Sequence, residues 1–252
     1  MCAVALTAYL TATRNLLQNP SAPTGLYDDA TLTTAINQAR AWLAGDSQSI
    51  KAFGSYSITT GSQGPYPFAS VVFTGASSVT GVQGVLNVRQ QFYNVGTGQL
   101  WFRGRAWPWF SVYHLNSAAP DTSQGPPQVW AQYGEGETGS LYVGPQPDTT
   151  YTVKADCICV PINLVDDTTV EAIPLPWTIA IPYYAAYLAL LSAQTGQRVQ
   201  DAARMLQLYQ TFMAGARKQT TPDIMPGNFP QNPNPVRQNQ LGVSGGAQGG
   251  GG

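Results

Sequence analysis

The hydrophobic period changes twice along this chain, and that change constrains its fold more than any other feature. Leu32, Ile36, Ala39 and Leu43 fall at i, i+4, i+7 and i+11, one helical face at 3.6 residues per turn. From Phe53 to Pro161 the period is two. The runs Tyr56–Thr59, Val71–Phe73, Val82–Val88, Leu100–Arg103, Val129–Tyr133, Ser140–Val143 and Tyr151–Cys157 are β-branched and aromatic, with Gly, Pro, Asn or Asp between them. Helical spacing returns after Pro174-Leu175-Pro176. An amphipathic helix cannot bury its stripe alone, so the two helical ends are expected to pack on each other. The expected fold is α+β: an antiparallel helical bundle formed by N- and C-terminal helices, an inserted all-β sandwich or barrel module, and an extended C-terminal arm. The boundaries are 1–50 for the first half of the bundle, 51–165 for the β module, 166–220 for the second half and 221–252 for the arm.

Local signals place the helices. Ala3–Gln18 carries Leu6, Tyr9, Leu10, Leu16 and Leu17, and Pro20 to Pro23 ends it. Asp28 or Asp29 can cap the second helix by accepting N–H groups of its first turn, and Gly45-Asp46 closes it. Trp177–Ala193 is apolar on most sides. Proline fits the first turn of a helix, so Pro182 puts the regular start near Ile181. Gly196 is a break, and Val199, Ala203, Leu206, Tyr209 and Met213 form another helical face running to about Lys218.

Charge is scarce. Only 10% of the 252 residues are charged, with 12 Lys and Arg against 13 Asp and Glu. A balance of −1 leaves no electrostatic footprint of a nucleic-acid-binding face. Such a neutral polar surface repels itself poorly and suits a protein packed among neighbours. No uninterrupted apolar run approaches the ~18–20 residues that span a bilayer. The residues from Met1 to Leu6 lack the basic and apolar regions of a secretory signal. Cys2, Cys157 and Cys159 read as free thiols, the last two on one strand face. A zinc site would need Cys157, Cys159, His114 and a carboxylate to converge, and neither a cofactor nor a metal is expected.

Catalytic constellations are missing from the pattern, and no enzymatic activity is expected. Gly134-Glu-Gly136-Glu-Thr-Gly139 matches a dinucleotide fingerprint in letters only. Strands flank it on both sides, and Glu135 and Glu137 would repel phosphate, so it reads as a hairpin turn. His114 has no nucleophile elbow to serve. Asp28-Asp29 reads as a cap and Asp166-Asp167 as a turn.

The segment from Leu100 to Phe110 is the most unusual. In extended conformation Trp101, Arg103, Arg105, Trp107 and Trp109 share one face. Trp and Arg are enriched at interface hot spots, so the face reads as core or subunit contact, as contact with a different protein, or as a ligand platform. Beyond Thr221 the chain has five prolines, eight glycines and no periodicity, the composition of an extended arm. Pro226, Phe229, Pro233 and Arg237 are its candidate partner contacts.

Three places in order resemble the head-to-tail adaptors of short-tailed bacteriophages, the tail tubular protein A or gatekeeper family. Tyr27-Asp-Asp-Ala-Thr-Leu32 with Ala35-Ile-Asn-Gln-Ala39 is similar to the family's second helix. Pro126-Pro127-x-Val-Trp130-Ala-x-Tyr133, followed by Leu141 to Val153 with Pro145-x-Pro147-Asp148 inside it, is similar to its hairpin. Pro161-x-x-Leu164, then Pro182 to Tyr187 and Ala202-Ala203, resemble its closing strand and return helices. The resemblance spans about residues 25–215, and neither the arm nor the Trp/Arg segment takes part in it. It implies a structural virion protein in the phage neck, assembled in the host cytoplasm. It implies a ring of twelve copies that joins the portal protein to the tail nozzle or tube. Genome DNA would pass through the channel without sequence-specific binding, and no membrane is involved. Trp101, Trp107 and Trp109 leave a second reading open, a carbohydrate- or receptor-binding β module of a phage tail.

Overall fold

A computed structural model of the chain describes residues 6–19, 26–73, 80–95, 98–115, 123–192 and 196–220. All of these lie in one compact unit, Met1–Thr220, and residues from Thr221 onward, including Pro226, Phe229, Pro233 and Arg237, lie outside the described residues. The fold is α+β.

Helix α1 is Leu6–Leu17 and α2 is Asp29–Ser47. The Asp28 side chain accepts from the Thr31 N–H at 2.7 Å and caps α2, and these hydrogen bonds hold its carboxyl below the usual range. Leu32, Ile36, Ala39 and Leu43 are fully buried, as their spacing predicts. The helix runs past Gly45 and stops at Gln48, whose left-handed backbone (φ 51°) returns its N–H to the Ala44 carbonyl. Gly45, expected to close the helix, lies inside it, and a Cβ there would meet Leu86 at an ordinary contact distance of 3.5 Å.

Two four-stranded sheets follow. The first has the order β1-β10-β3-β4, all antiparallel: β1 Lys51–Ile58, β3 Val82–Val95, β4 Gly98–Trp101 and β10 Tyr151–Pro161. The second has the order β2-β8-β7-β5: β2 Tyr66–Pro67, β5 Arg103–Gly104, β7 Val129–Tyr133 and β8 Ser140–Gly144, with β5 parallel to β7. A small parallel pair, β6 Gln124–Gly125 with β9 Gln146–Pro147, lies apart from both. Ala52, Tyr56 and Ile58 of β1 and Val153, Ala155, Cys157 and Cys159 of β10 join Tyr66, Leu141, Val143 and Trp130 of the second sheet in one hydrophobic cluster. Alternation along β1 and the first half of β10 is what pattern reading predicts. Val71–Phe73, expected as a strand, makes only an isolated bridge between Val72 and Ser55. The preceding Phe68–Ser70 is a 3₁₀ turn, which bounds the segment on that side, and residues 74–79 lie outside the described residues. The Gly134–Gly139 segment is the turn between antiparallel β7 and β8, with Gly134 and Gly136 at positive φ where other residues would be strained.

The chain closes through α4 Leu175–Thr178, α5 Ile181–Ser192 and α6 Gly196–Thr220. The described stretch Leu175–Ser192 is long and apolar enough to cross a membrane by length and average composition, although Pro176, Thr178 and Pro182 interrupt its apolar run. Here it is broken between α4 and α5, and α5 packs against α1, α2 and α6. The buried face of α6 is Ala202, Tyr209, Met213 and Ala216. Leu206, Tyr209 and Met213 lie on it as expected, while Val199 and Ala203 are exposed and Ala202 takes the place expected for Ala203. Core residues of α1, α2, α5 and α6 belong to the same hydrophobic cluster as the sheets.

Candidate interface on the β module

The Trp/Arg segment does not stay extended. The Phe102 N–H donates to the Gln91 carbonyl in the first sheet, and the Arg103 N–H donates to the Gln128 carbonyl beside the second. The chain therefore changes sheets at Phe102, whose side chain is buried against Tyr93. Ala106 then starts α3, Trp107–Tyr113, with Pro108 in its first turn. The expected common face of Trp101, Arg103, Arg105, Trp107 and Trp109 is thus divided between two sheets and a helix. The Ala106-Trp107-Pro108 sequence carried the signal, since proline in a first turn pre-sets a helix.

Each tryptophan has its own surroundings. Trp101 is 47% exposed and lies on the outside of the first sheet with its ring 4.5 Å from Phe92, which in turn meets Phe53 at 6.2 Å. Trp107 is half-buried between Tyr133 and Tyr142, both at 4.7 Å. Trp109 is 37% exposed and packs on Tyr113 at 4.8 Å, and the Arg105 guanidinium carbon sits 5.0 Å from its ring centre. That last contact is a cation–π pair at a wet site. Arg103 is exposed on β5. Neighbouring rings link Tyr133, Trp107, Phe110, His114, Trp109 and Tyr113 into one aromatic ridge. Its solvent side shows Val112 (60% exposed), Tyr113 (61%) and Tyr133 (55%). Exposed apolar residues gathered this way mark interaction surfaces more often than isolated ones do. His114 is a member of this stack, 5.6 Å from the Trp109 ring and 4.8 Å from Phe110. Cys157 and Cys159 are buried free thiols inside the first sheet, and burial pushes the Cys159 thiol up to about 12.

A second constellation escaped the sequence reading. Arg40 of α2 is fully buried and makes a two-pronged pair with Glu171, at 2.9 Å from Nε and 2.8 Å from Nη2. Its Nη1 donates to the Asn37 side chain at 3.1 Å and to the Ile162 carbonyl at 2.6 Å. Asn37 meanwhile brackets Leu164, donating to its carbonyl and accepting from its N–H. The Tyr9 hydroxyl donates to Glu171 at 2.9 Å, and burial first, then the Glu171 charge, push it well above the usual phenol range. On the exposed side Thr7 donates twice to Asp167 and holds its carboxyl below the usual range. The loop from β10 to α4 is thus riveted to α1 and α2. Hydrophobic spacing could not reveal this, because Arg40 sits beside the apolar stripe and its partner is 131 positions away.

The sequence model of a family described as "SU10 adaptor protein" matches residues 5–237. None of the curated proteins searched matches the chain.

Proposed function

This chain belongs to the SU10 adaptor protein family, a family of phage head-to-tail adaptors, and from that premise we propose that it forms the ring joining the portal protein to the tail. The observation that carries the reading is the span of the family match, which covers helices, β module and the chain through Arg237. The ring is built of identical copies in head-to-tail contact, with twelve as the copy number. In the virion neck its helical part docks on the portal and its β module faces neighbouring copies and the tail nozzle or tube. The channel carries genome DNA past a near-neutral polar wall. A basic wall would exchange counterions with the phosphates and hold the DNA back. Trp101, Arg103, Arg105, Trp107 and Trp109 serve as contacts between protein subunits in this account.

The glycan-binding alternative loses its platform. Trp101 lies on one sheet and Trp109 on α3, while the Trp107 ring is covered by Tyr133 and Tyr142. The direct test of the connector reading is reconstitution of the purified chain with purified portal rings, followed by electron microscopy. A cap of density on one pole of the portal is expected. Portal rings that stay bare at saturating chain concentration would refute the docking.

A further inference from the structure

The aromatic ridge of α3 and β7 has a counterpart within the same sequence. Pro230-Gln-Asn-Pro233 places two prolines three residues apart, the sequence spacing that a polyproline II helix, with three residues per turn, would bring to one edge. Pro235 and Arg237 follow. Proline-rich segments in this conformation dock on ridges of exposed aromatic rings, because their stiff backbone loses little entropy on binding. The ridge offers such rings in Trp109, Tyr113 and Tyr133. It also offers charge for Arg237. Glu135 and Glu137 stand exposed on the turn directly after Tyr133, with no ion pair among the described residues. The family match stops at Arg237, so it includes this proline-rich stretch and leaves out the glycine-rich remainder.

We propose that the segment Pro226–Arg237 of one copy docks on the α3 ridge of a neighbouring copy, with Pro230 and Pro233 against Trp109 and Tyr113 and Arg237 paired to Glu135 or Glu137. The proposal deepens the ring reading and rests on it. Reach permits it. Helix α6 is pinned near its end by Arg217, whose Nε donates to the Asp46 carbonyl at 3.0 Å, and ten residues then lead to Pro230. Extended, they cover about 30 Å, against a radius of gyration of about 17 Å for a unit of this size. Every copy carries one segment and one ridge, so the contact is head-to-tail and closes only in a ring.

The test uses the full chain with Phe229 replaced by the photocrosslinking residue p-benzoylphenylalanine. Ordinary and heavy-nitrogen preparations are mixed, assembled on portal rings, irradiated and digested. The expected cross-links join position 229 to the stretches 105–113 or 133–137, with mixed-isotope pairs in the proportion random mixing gives. Trp109→Ala with Tyr113→Ala should lower the cross-link yield about tenfold, as loss of hot-spot rings does. Arg237→Glu should lower it too, and Glu135→Arg with Glu137→Arg should restore it in that background. Cross-links confined to single-isotope pairs would place the segment on its own copy and overturn the proposal. Rings whose cross-links map to the portal or to another face would overturn it while leaving the connector reading intact. No ring at all would overturn both.

Discussion

Arg40 is a fully buried charge, and each of its three guanidinium nitrogens donates at least one hydrogen bond. Its guanidinium meets Glu171, Asn37 and the Ile162 carbonyl. Removing one member of a buried ion pair strands the other in a low dielectric, so Arg40→Met should cost about 3–5 kcal/mol of unfolding free energy. Arg40→Met combined with Glu171→Leu should cost less than either change alone, since no charge is then left buried. Urea denaturation of the three variants checks this, and a double variant less stable than both singles would contradict it. The cysteines give a second test at this scale. Burial favours their neutral thiols, raising the folded-state value above the ordinary 9.0 for both Cys157 and Cys159. The folded state therefore binds protons the unfolded state has lost. Stability from this source is intact below pH 9 and falls as pH rises from there towards about 12. The matching kinetic expectation is that neither residue is alkylated by iodoacetamide at pH 8 in the native protein, and both are in denaturant. Peptide mass mapping reads that out, and labelling of native Cys157 would refute the buried placement.

At the scale of elements, what was legible followed periodicity. The α2 stripe from Leu32 to Leu43 and the two-residue alternation of β1 were read directly, because burial on one face leaves a regular imprint. The β7–β8 turn was legible through its glycines. Three features were not. Val71–Phe73 has strand composition, but its place is set by a neighbouring turn and not by propensity. The α6 stripe is legible from Leu206 through Met213, but its start is not, because Ala203 and Ala202 are equally small and apolar and only Ala202 is buried. The Trp/Arg face failed because strand alternation was carried through Phe102, where the backbone leaves one sheet for the other. That division predicts unlike behaviour of neighbouring tryptophans. Trp107→Ala, which empties the space between Tyr133 and Tyr142, should cost about 2–3 kcal/mol. Trp109→Ala, at a surface site, should cost under about 1 kcal/mol. Thermal unfolding of the two variants separates them, and equal losses would contradict the placement of α3.

Among the described residues one large hydrophobic cluster joins helices and sheets, beside a small one at Tyr27, Leu32 and Ala189, and the chain as a whole is poor in charge. Its α+β class and the helix–strand–helix order could be read from the sequence, since the period changes where the elements change. The rivet between the β10–α4 loop and α1 and α2 could not, because pairing across 131 positions leaves no local mark. Residues 1–220 form a compact unit of their own, so deletion of 221–252 should leave the unfolding free energy of the remainder within about 0.5 kcal/mol of the full chain. A larger loss by urea titration would mean that the arm supports the fold of the copy it belongs to. The proposed role of this adaptor is a ring seated on the portal. Native mass spectrometry of the complex assembled from purified chain and purified portal tests it most directly. The account predicts a mass exceeding the portal ring by twelve copies of 26.9 kDa, with no partially filled species at saturation. A portal ring at its own mass, beside free chain at 26.9 kDa, would contradict it.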